Sequence, residues 1–254
     1  MPSFPPIKEL PPVLDSTGWS WNIFHTPLSD FWLGTDLDGN RWLTKLRGSF
    51  RAYREIVFAR LAQEMGWSCQ SSAFLKLDRS SAKTLGVSAS EIHAAHWFME
   101  EHQHSACSIN CQFRFLIGRS LETVDDFVGS EISHLLDWPR SDFAACLFGA
   151  NEPSGRLITT SHEFVIIDSE LMFSAGPSDL SGTNWWNCPD GKPSLSGRAL
   201  ALEVCHDLYA LSMTDFEEAL SIPKSVSVPK HRLIAERLHA SRKYAADFIA
   251  SQGR

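Results

Sequence analysis

Strand-like and helix-like hydrophobic spacings occupy different parts of this 254-residue chain, and that segregation limits its fold more than any other feature. In residues 18–46, aromatic and aliphatic residues are separated by turn chemistry. The runs are Phe31-Trp32-Leu33-Gly34, then Asp38-Gly39-Asn40, then Arg41-Trp42-Leu43-Thr44-Lys45-Leu46. An Asp-Gly pair between two such runs signals a hairpin, because glycine accepts the positive φ of a tight turn. Residues 49–65 change to helical spacing, with Ile56, Val57, Ala59, Leu61 and Ala62 near one apolar face and Gly66 placed to end the helix. Another strand is expected over 72–77, and residues 88–101 mix the two signals. Later segments read as helices over 120–136, 141–148, 195–211, 214–220 and 230–250. They are interrupted by a short hairpin over 156–160 and 163–168, and by a long Gly-, Pro-, Ser- and Asn-rich connection over 177–193. Strands first and helices later predict an α+β fold, with a β-rich N-terminal lobe (18–104) and a mostly helical C-terminal lobe (105–254). Residues 1–17 read as an irregular leader.

Composition narrows the class. At 43% hydrophobic and 21% charged, the chain is too apolar for disorder, and no apolar run approaches the roughly 18 residues of a membrane span. The first 14 residues carry five prolines and resemble no export signal, so the six cysteines are expected to be reduced thiols of a cytoplasmic protein. From Lys224 onward, seven Lys/Arg face only Glu236 and Asp247. That local excess of five positive charges leaves the rest of the chain at −12 within a net −7. A nucleic-acid surface needs clustered cations, so this balance argues against one and leaves the basic tail as the exception.

Three ionisable residues make joint sense. Lys45 ends a predicted strand, Glu55 lies one or two turns into the next helix, and Asp168 ends the apolar run Phe164-Val165-Ile166-Ile167. A strand lysine can hold nucleotide phosphates, a helix glutamate can hold the lysine, and a strand-end aspartate can offer magnesium a hard oxygen ligand. Each alone has a commoner use: a solvated charge, a helix-dipole partner, a turn former.

The chain resembles the HipA-like kinases, a bacterial branch of the protein and lipid kinase-like fold. The resemblance is carried by Trp42-Leu43-Thr44-Lys45, by Arg54-Glu55-Ile56-Val57-Phe58-Ala59-Arg60-Leu61-Ala62 with Gly66, and by Val165-Ile166-Ile167-Asp168-Ser169-Glu170-Leu171-Met172-Phe173-Ser174. The last is similar to the family's "IDHEL-F" segment, with serine in place of histidine. The resemblance implies a two-lobed kinase-like fold that binds ATP and magnesium, with Lys45 on phosphate, Glu55 orienting Lys45 and Asp168 on the metal. It also implies a protein substrate or partner, and a hinge near residues 97–101 whose backbone contacts adenine.

The departure from that family lies in its catalytic loop, of the form N-x-D-R-H-x-G-N-L-L. Here the stretch is Gly149-Ala150-Asn151-Glu152-Pro153-Ser154-Gly155-Arg156-Leu157-Ile158. Aligned without gaps, Asn151 takes the place of the catalytic aspartate and Arg156 that of the metal-binding asparagine. An amide does not accept a proton as a carboxylate does, and a guanidinium repels a cation. A one-residue shift would instead make Glu152 the base, and Arg156 could neutralise γ-phosphate charge. The expectation is a pseudokinase or an atypical serine/threonine kinase. The competing reading is a non-enzymatic interaction or regulatory module that keeps the fold.

Two further clusters carry weaker chemistry. His93, His96, His102, His104, Cys107 and Cys111 are borderline-to-soft ligands close in sequence, and a zinc regulator centred on residues 102–111 is a third reading; yet no paired Cys-x₂-Cys unit is present. In the last helix, Leu233, Ile234, Leu238, Ala245, Phe248 and Ile249 recur at helical spacing, with Arg232, Arg237, Arg242 and Lys243 largely elsewhere. Such a helix usually packs its apolar face on its own domain.

Overall fold

The structure is a computed structural model that describes residues 7–25, 30–97, 102–105, 137–150, 155–159, 164–167, 169–178, 180 and 195–252. The predicted strands assemble into a six-stranded mixed sheet, β1 (Val13–Asp15), β2 (Ser20–His25), β3 (Asp30–Thr35), β4 (Arg41–Lys45), β5 (Ser72–Lys76) and β6 (Ile92–Trp97), in the order β1-β5-β6-β4-β3-β2. Only β1 and β5 run parallel; the other pairs are antiparallel. The β3–β4 hairpin closes around Asp36 rather than through the Asp-Gly pair alone. The Asp36 carboxylate accepts from the backbone N–H of Asp38 and Asn40 and from Trp42 Nε1, while Gly39 takes φ 83°. A second sheet joins β7 (His102–Ser105), β8 (Gly155–Thr159) and β9 (Phe164–Ile167).

The described helices are α1 (Ser49–Glu64), α2 (Arg79–Leu85), α3 (Asp137–Leu147), α4 (Leu195–Ala210), α5 (Met213–Ala219) and α6 (His231–Gln252). Strands lead and helices follow, so the architecture is α+β, as the spacing predicts. The spacing predicts one apolar face for α1, yet the helix is buried nearly all round, including Arg54, Glu55 and Arg60. It lies between β5 and β6 of the sheet on one side and the 3₁₀ turn Ser169–Leu171, α5 and α6 on the other. One continuous core therefore runs from Phe74 and Ala94 through Ile56, Phe58 and Leu61 to Phe148, Val204, Phe216 and Leu238. Each such large side chain, fully buried, contributes on the order of 1.5–3 kcal/mol.

The opposite face of the sheet has a separate, smaller core. Trp42, Leu75, Leu77 and Ala95 pack there under α2, with Trp19, Trp21 and Trp32 around them. Helix α2 is absent from the sequence reading. Its short run is fixed at both ends, by Asp78 capping the N–H groups of Ser80 and Ser81 and by Gly86 in the left-handed conformation.

Two boundaries need correction. Residues 7–17 are not an irregular leader: Ile7 is buried in the main core, and Val13–Asp15 pair with Phe74–Lys76 because β5 would otherwise be an open sheet edge. Strand β7, assigned above to the N-terminal lobe, instead pairs with β8 in the second sheet. The expected helix over 120–136 lies outside the described residues. α6 packs its apolar face on its own domain as expected, burying Ile234, Leu238 and Ala245, but not all its charges are left to solvent: Arg237 donates to the Phe173 carbonyl and Arg242 lies over the Tyr209 and Phe216 rings.

Candidate functional site

Lys45 closes β4, where alternation points it toward α1 together with Leu43, while Trp42 and Thr44 point to the opposite face. Gly48 begins α1 at φ 76°, letting the chain turn sharply from strand to helix, and Glu55 arrives on the second turn facing back at β4. Lys45 Nζ donates to Glu55 Oε1 at 2.7 Å; the two residues are 8% and 1% exposed. A lysine held in this way is pre-positioned as a point charge.

The structure adds a partner that sequence spacing groups with possible zinc ligands. His96, on β6, lies opposite Leu43 of β4 and Ser72 of β5, so all three share the α1-facing side. Its Nε2 is 3.0 Å from the second Glu55 oxygen, outside hydrogen-bond geometry, and its Nδ1 is 2.8 Å from Ser72 Oγ. Burial alone would push the Glu55 carboxyl up. The charges of His96 and Lys45, with the Lys45 hydrogen bond, outweigh burial and hold it down at about 2. Glu55 is thus a fixed carboxylate between two cationic or polar neighbours.

The third expected residue, Asp168, lies outside the described residues, as do Asn151 and Glu152. Of Arg156 only the backbone is described, in β8 opposite Ile166. The chain on either side of Asp168 is anchored to the Lys45–Glu55 element. Before it, β9 pairs with the segment leaving α1: Gln70 N–H donates to Ile166 O at 2.8 Å and Ile166 N–H to Ser68 O at 2.9 Å. After it, the turn Ser169–Leu171 presents buried Glu170 to Arg47, two residues beyond Lys45, and to Arg51 at 3.9 Å. Phe173 then takes φ 58° while fully buried, a costly conformation for a residue with a Cβ. It is held by its N–H on Phe148 O at 2.7 Å, by Arg237 donating to its own carbonyl, and by the Phe148 ring 5.4 Å away.

Cys69 is no nucleophile. It bridges to Ile166, and burial, with the Glu55 charge adding to it, pushes its thiol up to about 12. Among the described residues, no group of three or more His, Cys, Asp or Glu could hold a metal. The side chains of His102 and His104, with Cys107, Cys111 and most of the expected hinge, lie outside the description. A cavity of about 360 Å³ sits at the other end of α1, against Arg60, Gln63 and Trp67, and neither Lys45 nor Glu55 lines it. No helix among the described residues is long and apolar enough to cross a membrane.

The sequence matches no protein-family model and no curated protein. Solved structures do match in fold. The crystal structure of a Helicobacter pylori proinflammatory kinase, CtkA, superposes with a TM-score of 0.58 at 11% identity, over 94% of this chain and 98% of that one. At that identity the likeness shows a kinase-like fold alone.

Proposed function

We propose that this chain binds ATP with magnesium in its kinase-like fold, and that its phosphoryl transfer is lost or altered. The observation that carries the reading is the buried Lys45–Glu55 pair, with His96 behind it, at the strand-to-helix junction of a kinase-like fold. Exclusion from water makes a lone lysine or glutamate costly, so holding both charged there is the arrangement a phosphate site requires. In this reading Lys45 holds phosphate oxygens, Glu55 fixes Lys45, His96 and Ser72 fix Glu55, and Asp168 offers the oxygen ligand for magnesium. Magnesium, when bound, neutralises phosphate charge.

The donor set fits nucleotide better than it fits catalysis. Lys45 and Asp168 supply the cation and the hard oxygen, whereas Asn151 and Arg156 replace the groups that would take a proton and bind metal. Titration calorimetry with ATP and magnesium on the wild type, Lys45→Met and Asp168→Ala is expected to show binding by the first alone. Equal heats in all three, or none in any, would sink the nucleotide site. Transfer from radiolabelled ATP then separates the outcomes. Robust transfer that Glu152→Ala abolishes and Asn151→Ala spares marks an atypical kinase acting through a shifted base; no transfer despite binding marks a pseudokinase.

A further inference from the structure

A second charged cluster forms where the start of α1 meets the segment that follows β9. Arg47 and Arg51 converge on Glu170, Arg54 Nη1 donates to Ser174 Oγ at 2.6 Å, and Arg237, from α6, donates to the carbonyl of Phe173. Two of these four guanidiniums, Arg47 and Arg51, pair with Glu170, and the other two end on neutral acceptors; Glu55, the acid of α1 next to Arg54, is engaged by Lys45 and His96. Arg54 is buried over the Phe50 ring and its Nε has no partner. Burial first, then Arg51, disfavours its charge; Glu170 opposes that and Arg237 adds to it. Among the described residues the cluster is short of negative charge, and the acceptor held by its most buried guanidinium, Arg54, is a serine hydroxyl. Ser174 is half-buried and opens a surface turn in which Ala175 and Gly176 are exposed.

We propose that Ser174 is a phosphorylation site and that Arg54, with Arg51 and Arg237 around it, is the receptor for its phosphate. In the step, a bond forms between the γ-phosphorus of ATP and Ser174 Oγ. The bond from that phosphorus to the β–γ bridging oxygen breaks, ADP leaves, and the hydroxyl proton passes to the base of the protein kinase that acts on the turn. The product carries nearly two negative charges and three acceptor oxygens, which a planar guanidinium can engage bidentately. It replaces a single hydrogen bond to a neutral hydroxyl with an ion-paired clamp between α1, which carries Glu55, and the segment leaving Asp168. The receptor requires no nucleotide binding by this chain, so it stands or falls apart from the function proposed above.

The test uses the full chain with phosphoserine installed at position 174 during translation. The second ionisation of the phosphate, followed by phosphorus NMR, is expected well below the ordinary value of about 6. The melting temperature should rise by several degrees, and the rise should shrink in 1 M NaCl and in Arg51→Gln. Arg54→Gln should remove most of both effects. If that buried substitution prevents folding, Arg51→Gln and Arg47→Gln, at half-exposed positions, still decide the matter. A phosphate that titrates near 6 with an unchanged or lowered melting temperature overturns the receptor.

Discussion

The two faces of the six-stranded sheet are built from the same strands and do opposite work. The α1 side carries Lys45 and His96, which close on Glu55, and Ser72, which holds His96, whereas the other side carries Trp42, Leu75, Leu77 and Ala95 under α2. Alternation along β4 sends Trp42 and Lys45 to different faces within four residues. Charge is therefore concentrated on one side without loss of a dry core on the other. His93 breaks the pattern. Three residues before His96 on β6, it is fully buried on the apolar side, and neither ring nitrogen has a hydrogen-bond partner.

Substitutions can break this contrast. Glu55→Ala should have the largest effect, since it strands Lys45 as a buried, poorly compensated charge at a cost of about 3–5 kcal/mol, measurable by urea unfolding. Full stability in that variant would mean the pair is not closed in solution. Acid titration tests the same group. Glu55 has a lower pKa folded than unfolded, so its contribution is complete above about 4.5 and is lost as pH falls toward about 2. Unfolding midpoints followed below pH 4.5 should show that slope, and Glu55→Gln should flatten it.

On the apolar face, Gly34→Ala should cost about 1–3 kcal/mol. An added Cβ would come within 2.6 Å of the Trp19 ring and 2.8 Å of the Trp21 ring, and nucleotide binding should survive if the faces are independent. His93→Leu should be the mildest change and the only one that stabilises, by about 1 kcal/mol, because it removes two unsatisfied nitrogens. Burial lowers the His93 pKa, so below about 6.5 the unfolded chain takes up a proton that the folded one refuses, and stability declines as pH falls. Thermal melts at pH 7.5 and 5.5 should show a wild-type difference that His93→Leu reduces.

Much of the fold was legible because its signals are local. The β3–β4 turn, α1 with Gly66 behind it, β5 and β9 announce themselves through spacing and turn chemistry. Helix α2 carried a signal that was there to be used, Asp78 before it and Gly86 after it, but seven residues are too few to show a period. β6 was ambiguous because Ile92-His-Ala-Ala-His-Trp97 is poor in β-branched residues, and its place between β4 and β5 makes it a strand. The same non-local pairing explains the site. Lys45 and Glu55 are ten residues apart and could be matched by eye. His96 joins them only through the register of β4, β5 and β6, and Ser174 meets Arg54 across 120 residues.

The three-residue strand β1 has a consequence for solubility. β5 is buried through Ser72, Ala73, Phe74 and Leu75, and β1 is what covers its outer ladder before the chain turns away through Asp15 and Thr17. An edge so short offers another molecule little to pair with. A chain clipped after Asp15 would keep the Lys45–Glu55 pair yet present a bare apolar strand, and clipped copies would associate through it.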